Sequence, residues 1–117
     1  MQKKITMIPA KTTPVLFFHG LVILTHHRQV LRNDMEISLS CSEFDILLYL
    51  AQQPGQVFTK TQLFQHLYQD ELAVDIDNLI YCLIRSLRKK MEPDPRHPRY
   101  IHTVRGVGYK FEALSGK

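Results

Sequence analysis

The sequence predicts a single domain of the α+β class, and three observations support this prediction. The chain has 117 residues, of which 44% are hydrophobic and 22% charged, so it is long enough to bury one core. Residues 15–39 are rich in Val, Leu, Ile and Phe but are interrupted at short intervals by turn residues, which is typical of an antiparallel meander. Residues 40–91 carry the spacing of amphipathic helices, and a hairpin pattern follows them.

The two ends of the chain are expected to lie outside the folded domain. Residues 1–13 show no hydrophobic periodicity and are predicted to form a linker or tail, residues 14–113 the domain, and residues 114–117 a short tail. No apolar signal sequence opens the chain, and the apolar stretch at 14–24 is too short to cross a bilayer. The two cysteines lack a CxxC spacing, which favours reduced thiols. We therefore expect a cytoplasmic protein without a membrane partner.

A four-stranded antiparallel sheet is predicted at the N-terminal end of the domain. Its turns are expected at His19-Gly20, at the HHR sequence and at Asn33-Asp34, because these residues favour tight turns. The expected strands cover 15–18, 21–25, 29–32 and 35–39.

Two capping signatures predict the starts of the first two helices. Ser40 is followed three positions later by Glu43, and Thr59 is followed in the same way by Gln62. In such a capping box, each side chain bonds to the backbone N–H of the other residue. The apolar faces of these helices are expected to consist of Phe44, Leu47, Leu48 and Ala51, and of Leu63, Phe64 and Leu67. A polar, acidic connection at 69–75 leads to the third helix.

The third helix, at about 76–91, combines a core face with basic residues. Either Asp75 or Asp77 is expected to cap its start. Apolar residues at spacings of 4, 4, 3 and 4 form the core face, namely Ile76, Ile80, Ile84, Leu87 and Met91. The helix dipole is enough to explain Lys89 and Lys90 in the last turn, but it does not explain Arg85 and Arg88 further back.

Positive charge is concentrated in the segment from residue 85 to residue 110. Eight basic residues and two acids lie there, so this segment has a net charge of +6. Because the whole chain has a net charge of +4, the rest of the chain has a net charge of −2. This distribution is typical of a surface that binds a polyanion. On charge alone, a solvated basic surface without a partner is the alternative.

The stretch YIHTVRGVGYKF, at 100–111, is predicted to be a hairpin. Its Gly-x-Gly lacks the third glycine and the following helix of a dinucleotide-binding fingerprint, and it also lacks the Lys-Ser or Lys-Thr of a P-loop. Strand-forming residues lie on both sides, so Gly106 and Gly108 are expected to form the turn. Arg105 is then expected at the tip.

Together, these elements resemble the OmpR/PhoB-type winged-helix DNA-binding (effector) domain of bacterial two-component response regulators. The resemblance covers residues 15–112, and its most specific part is LRKK late in the third helix followed by TVRGVGY. It implies a winged helix-turn-helix fold with an N-terminal four-stranded antiparallel sheet, three helices and a C-terminal β-hairpin wing. It also implies that the helix at 76–91 enters the major groove of double-stranded DNA and that the wing at 100–111 touches the backbone or minor groove.

The resemblance assigns DNA-contacting roles to individual residues. The implied backbone contacts are Lys60, Tyr68, Arg85, Arg88, Lys89, Thr103, Arg105 and Tyr109. The implied base-reading positions are Asn78, Leu79, Cys82, Leu83 and Ser86. At several of these base-reading positions the family commonly has polar residues, so the base-reading face of this chain is unusually apolar.

An alternative function is a winged-helix module that binds protein, with Leu79, Cys82 and Leu83 as its contact patch. The resemblance also implies further partners: dimeric binding to direct repeats when the domain is joined to an upstream receiver domain, and RNA polymerase at the 69–75 loop. No cofactor is expected. No metal site is expected either, because the histidines lack Cys or carboxylate partners at ligand spacing. No catalytic pairing is found, so the chain is not expected to be an enzyme.

Overall fold

The computed structural model describes residues 15–68 and 75–113. The predicted tails at 1–13 and 114–117 lie outside the described residues, and so does the connection at 69–75 apart from Asp75. The elements, in chain order, are β1 (Val15–Phe18), β2 (Leu21–Leu24), β3 (Gln29–Arg32), β4 (Met35–Ile37), α1 (Cys41–Ala51), β5 (Val57–Thr59), α2 (Lys60–Tyr68), α3 (Ile76–Met91), β6 (Ile101–Val104) and β7 (Gly108–Phe111).

The first four strands form an antiparallel sheet in the order β1-β2-β3-β4, which confirms the predicted meander. The turn between β3 and β4 holds Asn33 at φ 50° and Asp34 at φ 69°. Two successive residues with positive φ match the twist of the flanking strands, and Asn and Asp tolerate this conformation well. Strands β2 and β4 end at Leu24 and Ile37, one and two residues earlier than predicted.

Both predicted capping boxes are present. At α1, the Ser40 hydroxyl accepts from the Glu43 N–H at 3.2 Å, and the Glu43 carboxylate accepts from the Ser40 N–H at 2.9 Å. At α2, the Thr59 hydroxyl and the Gln62 amide oxygen form the same pair of bonds, at 3.1 and 2.8 Å. These bonds satisfy N–H groups that have no partner within the helix.

Helix α3 begins at Ile76, and Asp75 is its N-cap, with its carboxylate accepting from the Asn78 N–H at 3.0 Å. This observation decides between the two predicted caps. The predicted core face is confirmed at the four positions Ile80, Ile84, Leu87 and Met91, which are buried, while Ile76 is partly buried.

The predicted hairpin is part of a second sheet with the strand order β5-β7-β6. Strand β5 was not predicted; it has three residues and pairs with β7 through Val57, Phe58 and Thr59. This pairing fixes the wing to the start of α2. The two sheets meet where the Tyr100 hydroxyl donates to the His19 carbonyl at 2.7 Å. Within the described ranges, no helix is both long and apolar enough to cross a membrane.

Candidate nucleic-acid interface

The exposed face of α3 presents uncompensated positive charge. Arg85 and Lys89 are exposed, and neither side chain forms a hydrogen bond or ion pair with any residue that the structure describes. Lys90 differs from them, because its ammonium group donates to the Glu43 carboxylate at 2.8 Å. Arg85 and Lys89 are therefore available to an external anion, whereas Lys90 is committed to the protein.

The structure gives Arg88 a role within the protein that the sequence analysis did not predict. Its Nε and Nη2 atoms donate to the Ile101 carbonyl at 3.2 and 2.9 Å, and Nη2 also donates to the Thr103 hydroxyl at 2.9 Å. The guanidinium carbon lies 5.7 Å from the centre of the Tyr109 ring. Burial lowers the pKa of the Arg88 guanidinium below its ordinary value. Arg88 thus joins α3 to the wing. Of its three guanidinium nitrogens, only Nη1 has no hydrogen-bond partner among the described residues.

Tyr109 and Thr103 also differ from the predicted phosphate contacts. Tyr109 is only 4% exposed, and burial raises the pKa of its hydroxyl. Its ring lies under the Arg88 guanidinium rather than on the surface of the wing, because the side chains along a strand alternate between the two faces. Thr103 is exposed, but its hydroxyl accepts from Arg88. Both residues contact Arg88 and help to hold the wing against α3.

The turn of the wing is built by Gly106 but not by Gly108. Gly106 has φ +79°, and Val107 closes the turn by donating to the Val104 carbonyl at 2.9 Å. The prediction that Gly108 is a turn glycine is wrong, because Gly108 is the first residue of β7 and does not have a positive φ. A Cβ atom there would lie 1.9 Å from the Phe58 carbonyl oxygen, so close packing against β5 requires the glycine. Arg105 is exposed at the tip, as predicted.

The predicted base-reading residues divide into an exposed and a partly buried group. Asn78, Leu79 and Cys82 are exposed on α3, with Leu79 at 37%. Leu83 is partly buried and packs against the core, so it does not form a freely exposed patch with Leu79 and Cys82. Ser86 is also partly buried and donates to the Glu43 carboxylate, which turns its hydroxyl away from the exposed face.

Glu43 is the group that holds α1 against α3. Its carboxylate accepts from the Ser40 backbone, the Ser86 hydroxyl and the Lys90 ammonium group. Burial by itself raises the pKa of Glu43, but the hydrogen bonds from Lys90, Ser86 and Ser40 outweigh it and lower the pKa from 4.5 to about 2. The carboxylate therefore stays charged and fixes the orientation of α3.

A second buried carboxylate, Glu92, holds the segment between α3 and the wing. Its oxygens accept from the backbone N–H groups of Arg99 at 2.7 Å, Tyr100 at 3.1 Å and Ile101 at 2.8 Å. This role is not predictable from the sequence, because a single glutamate at the end of a helix carries no signal of it. Together, Arg88 and Glu92 set the position of the wing relative to α3.

The remaining predicted contacts, Lys60 and Tyr68, lie at the two ends of α2. Lys60 is partly exposed and follows Thr59, which pairs with Gly108 of the wing sheet. Tyr68 is partly buried, with its ring centre 5.0 Å from that of Phe64. Lys60 is therefore adjacent to the wing sheet, whereas Tyr68 packs within α2.

Comparison with known proteins links this geometry to a family. The sequence profile of the family "Transcriptional regulatory protein, C terminal" matches residues 34–111, which include every element from β4 to the wing. The regulatory protein VanR of Enterococcus faecium is 36% identical over 110 residues, covering 94% of this chain and 48% of VanR. This chain therefore spans about half the length of that relative.

Two solved structures share the fold. The response regulator DrrB of Thermotoga maritima, an OmpR/PhoB homologue, has a TM-score of 0.78 and 34% identity, over 85% of this chain and 44% of DrrB. The DNA-binding domain of RstA from Klebsiella pneumoniae, solved in complex with the RstA box, has a TM-score of 0.75 and 31% identity, over 84% of this chain and 96% of that domain. The chain thus belongs to the family of transcriptional regulatory protein C-terminal domains, with the OmpR/PhoB-type winged-helix fold.

Proposed function

We propose that this chain binds double-stranded DNA as the effector domain of a transcriptional response regulator. The observation that carries the proposal is a pair of exposed cations on α3, Arg85 and Lys89, whose side chains have no partner among the described residues. They lie next to a wing that Arg88 joins to the same helix. A helix of 16 residues is about 24 Å long, and the major groove, about 12 Å wide, accommodates an α-helix. In this arrangement α3 lies in the groove and the wing reaches the backbone or the adjacent minor groove.

Phosphate contacts come from exposed cations that have no hydrogen-bond or ion-pair partner in the part of the chain that the structure describes. Arg85, Lys89 and Arg105 meet this description, and Lys60 at the start of α2 is placed beside the wing sheet. Such contacts position a protein on the duplex but do not distinguish one sequence from another. Arg88 contributes by holding the wing, and its Nη1 atom, which has no partner within residues 15–68 and 75–113, is available to a phosphate.

Base recognition is assigned to the exposed N-terminal half of α3. The Asn78 amide suits a bidentate pair with adenine, and Leu79 suits contact with a thymine methyl group. Cys82 lies one turn after Asn78, with its sulfur 3.9 Å from the Asn78 side-chain oxygen, and extends the same face. We propose that this face reads A·T-rich steps.

The whole protein is proposed to be a two-component response regulator of the bacterial cytoplasm. The chain spans about half of VanR and 44% of DrrB, and the matching family profile describes a C-terminal region, which is compatible with a receiver domain upstream. Joined to such a domain, it is proposed to bind direct repeats as a dimer and to contact RNA polymerase at the 69–75 loop. The effector domain itself has no proposed enzymatic activity or cofactor.

The alternative, a protein-binding module on the same helix, is favoured by the exposed apolar surface of Leu79 and of Tyr81, which is 55% exposed. It is weakened by Leu83, which packs against the core and leaves a smaller patch than the sequence suggests.

Selection of binding sites from random duplex DNA at a stated salt concentration tests the proposed function. We expect the 117-residue chain to enrich one A·T-containing motif and to bind it more tightly than a scrambled duplex. Arg85→Ala is expected to weaken binding to both duplexes, whereas Lys110→Gln, which removes a cation already paired with Glu112, is expected to change little. No enrichment, together with no duplex binding, contradicts the proposed function.

A further inference from the structure

A cationic groove lies between the C-terminal half of α3 and the segment that follows this helix. Its lining comes from two parts of the chain, and consists of Tyr81, Arg85, Arg88, Lys89, Pro95 and Arg96. Among the described residues, no carboxylate lines the groove. The proposed function already gives Arg85, Arg88 and Lys89 roles at the DNA backbone, whereas Arg96 belongs to none of the predicted DNA contacts.

The segment carrying Arg96 is held in place by two carboxylates. Glu92 accepts three backbone N–H groups from residues 99–101 and is itself buried. Asp94 accepts from the Arg96 backbone N–H at 3.1 Å and contacts the His97 ring at 3.0 Å. The hydrogen bond from His97, together with that from the Arg96 backbone, lowers the pKa of Asp94. The backbone that positions Arg96 against α3 is therefore fixed.

The charges of the groove are not neutralised by the protein. The side chains of Arg85, Lys89 and Arg96 form no ion pair within residues 15–68 and 75–113. Like charges held close together repel each other, and an anion between them relieves the repulsion. Arginine presents a planar fork of N–H donors that matches a phosphate group, and the Tyr81 hydroxyl adds a neutral donor.

We infer that this groove is a binding site for one phosphate group, with Arg96 as a ligand. In the complex with DNA it takes a backbone phosphodiester in addition to those contacted by the exposed face of α3 and by the wing tip. This assignment to DNA rests on the proposed function. Free inorganic phosphate offers the same chemistry and is the other source of such a group.

A phosphate-by-phosphate comparison tests the inference on the full 117-residue chain. The variants are Arg96→Ala and, as a control for the same change of charge outside the groove, Lys110→Gln. Each is measured on duplexes carrying one neutral methylphosphonate at successive positions of a selected site. Thermal unfolding of the variants checks that the exposed Arg96 does not contribute to folding.

We expect Arg96→Ala to weaken binding about 5- to 10-fold and to reduce the salt slope by about 0.9, the loss of one neutralised phosphate. One methylphosphonate position should weaken the unaltered chain by a similar factor and should have no further effect on Arg96→Ala. If Arg96→Ala binds as tightly as Lys110→Gln, or if no position depends on Arg96, the inference is overturned.

Two further outcomes distinguish a groove that binds phosphate but not DNA from a failure of the proposed DNA-binding function. Titration with inorganic phosphate at constant ionic strength is followed through the Arg96 side-chain NMR signal. Binding of inorganic phosphate by the groove, with DNA affinity unchanged in Arg96→Ala, overturns the assignment to DNA. A failure of the proposed function looks different, because the unaltered chain itself then shows no salt-dependent binding to any duplex.

Discussion

Replacing Gly108 with alanine is predicted to disrupt the wing sheet, whereas the same replacement at Gly106 is not. At Gly108 the new Cβ would lie 1.9 Å from the Phe58 carbonyl oxygen, 2.8 Å from its carbon and 2.9 Å from the Thr59 Cα. All three are backbone atoms, so no side chain can rotate away. At Gly106 no described atom outside the glycine and its two chain neighbours lies within 4 Å of the added Cβ, so the expected cost comes from φ +79°.

The two costs differ because their physical origins differ. A left-handed conformation costs an alanine about 1–2 kcal/mol, which is the expected loss of stability for Gly106→Ala. At Gly108, β5 must retreat by about 1.5 Å before the contact reaches van der Waals distance. That movement strains the packing of Phe58, which is 3% exposed, and weakens its bonds to β7. Overpacking and lost hydrogen bonds together predict about 3–5 kcal/mol for Gly108→Ala.

Urea unfolding followed by circular dichroism measures both losses. Gly55→Ala is a matched control, because Gly55 has φ +87° and no atom within 4 Å of an added Cβ, as at Gly106. We expect Gly55→Ala and Gly106→Ala to cost similar amounts and Gly108→Ala to cost clearly more. Equal losses for Gly106→Ala and Gly108→Ala would refute the assignment of Gly108 to a close contact with β5.

Three further predictions follow from the contacts of α3. Arg88→Ala should destabilise the fold by about 1.5–3 kcal/mol, because it removes charged hydrogen bonds to the wing, and should weaken binding to all duplexes alike. As the matched variant, Arg85→Ala should weaken DNA binding without lowering the melting temperature. The pKa of Glu43 is lowered to about 2 in the folded protein, so its carboxylate contributes up to about 3 kcal/mol of stability above pH 4.5, and this contribution is lost as the pH falls towards 2. When the free energy of unfolding is measured between pH 2 and pH 7, this pH dependence should be largely absent from Glu43→Gln. Leu79→Ala should cost about 1 kcal/mol on the selected DNA site and little on scrambled DNA, whereas Leu83→Ala should lower stability instead.

Each of these predictions has a contradicting result. An Arg88→Ala variant with unchanged stability would mean that the contacts with Ile101 and Thr103 do not hold the wing. If the free energy of unfolding depends on pH in Glu43→Gln as it does in the unaltered chain, the Glu43 carboxylate does not link α1 to α3. Equal losses on selected and scrambled DNA for Leu79→Ala would exclude base reading by that side chain.

Local signals made the helices predictable from the sequence. The capping box at Ser40 and the apolar spacing from Ile80 to Met91 depend on residues within a few turns of each other, and both are observed. Strand β5 was not predictable in this way. Its three residues carry no periodicity, and it becomes a strand only by pairing with β7, about fifty positions later in the chain.

The candidate site was predicted less completely, because partners from distant parts of the chain decide which side chains are free. Ser86 and Leu83 lie off the core stripe of α3, yet neither is fully exposed. The Ser86 hydroxyl donates to the carboxylate of Glu43, 43 positions earlier in the chain, and Leu83 packs against the core. Arg88 carries the same charge as Arg85, but only Arg88 reaches the Ile101 carbonyl. No pattern in the sequence distinguishes the two arginines.

The salt dependence of DNA affinity tests the central claim, that the cations around α3 and the wing bind the DNA backbone. The proposed phosphate ligands are Lys60, Arg85, Lys89, Arg96 and Arg105. Each neutralised phosphate contributes about −0.9 to the slope of log affinity against log salt concentration, so these ligands predict a slope of about −4 to −5 for one protomer. A flat dependence, with affinity unchanged as salt rises, would contradict DNA binding through this surface.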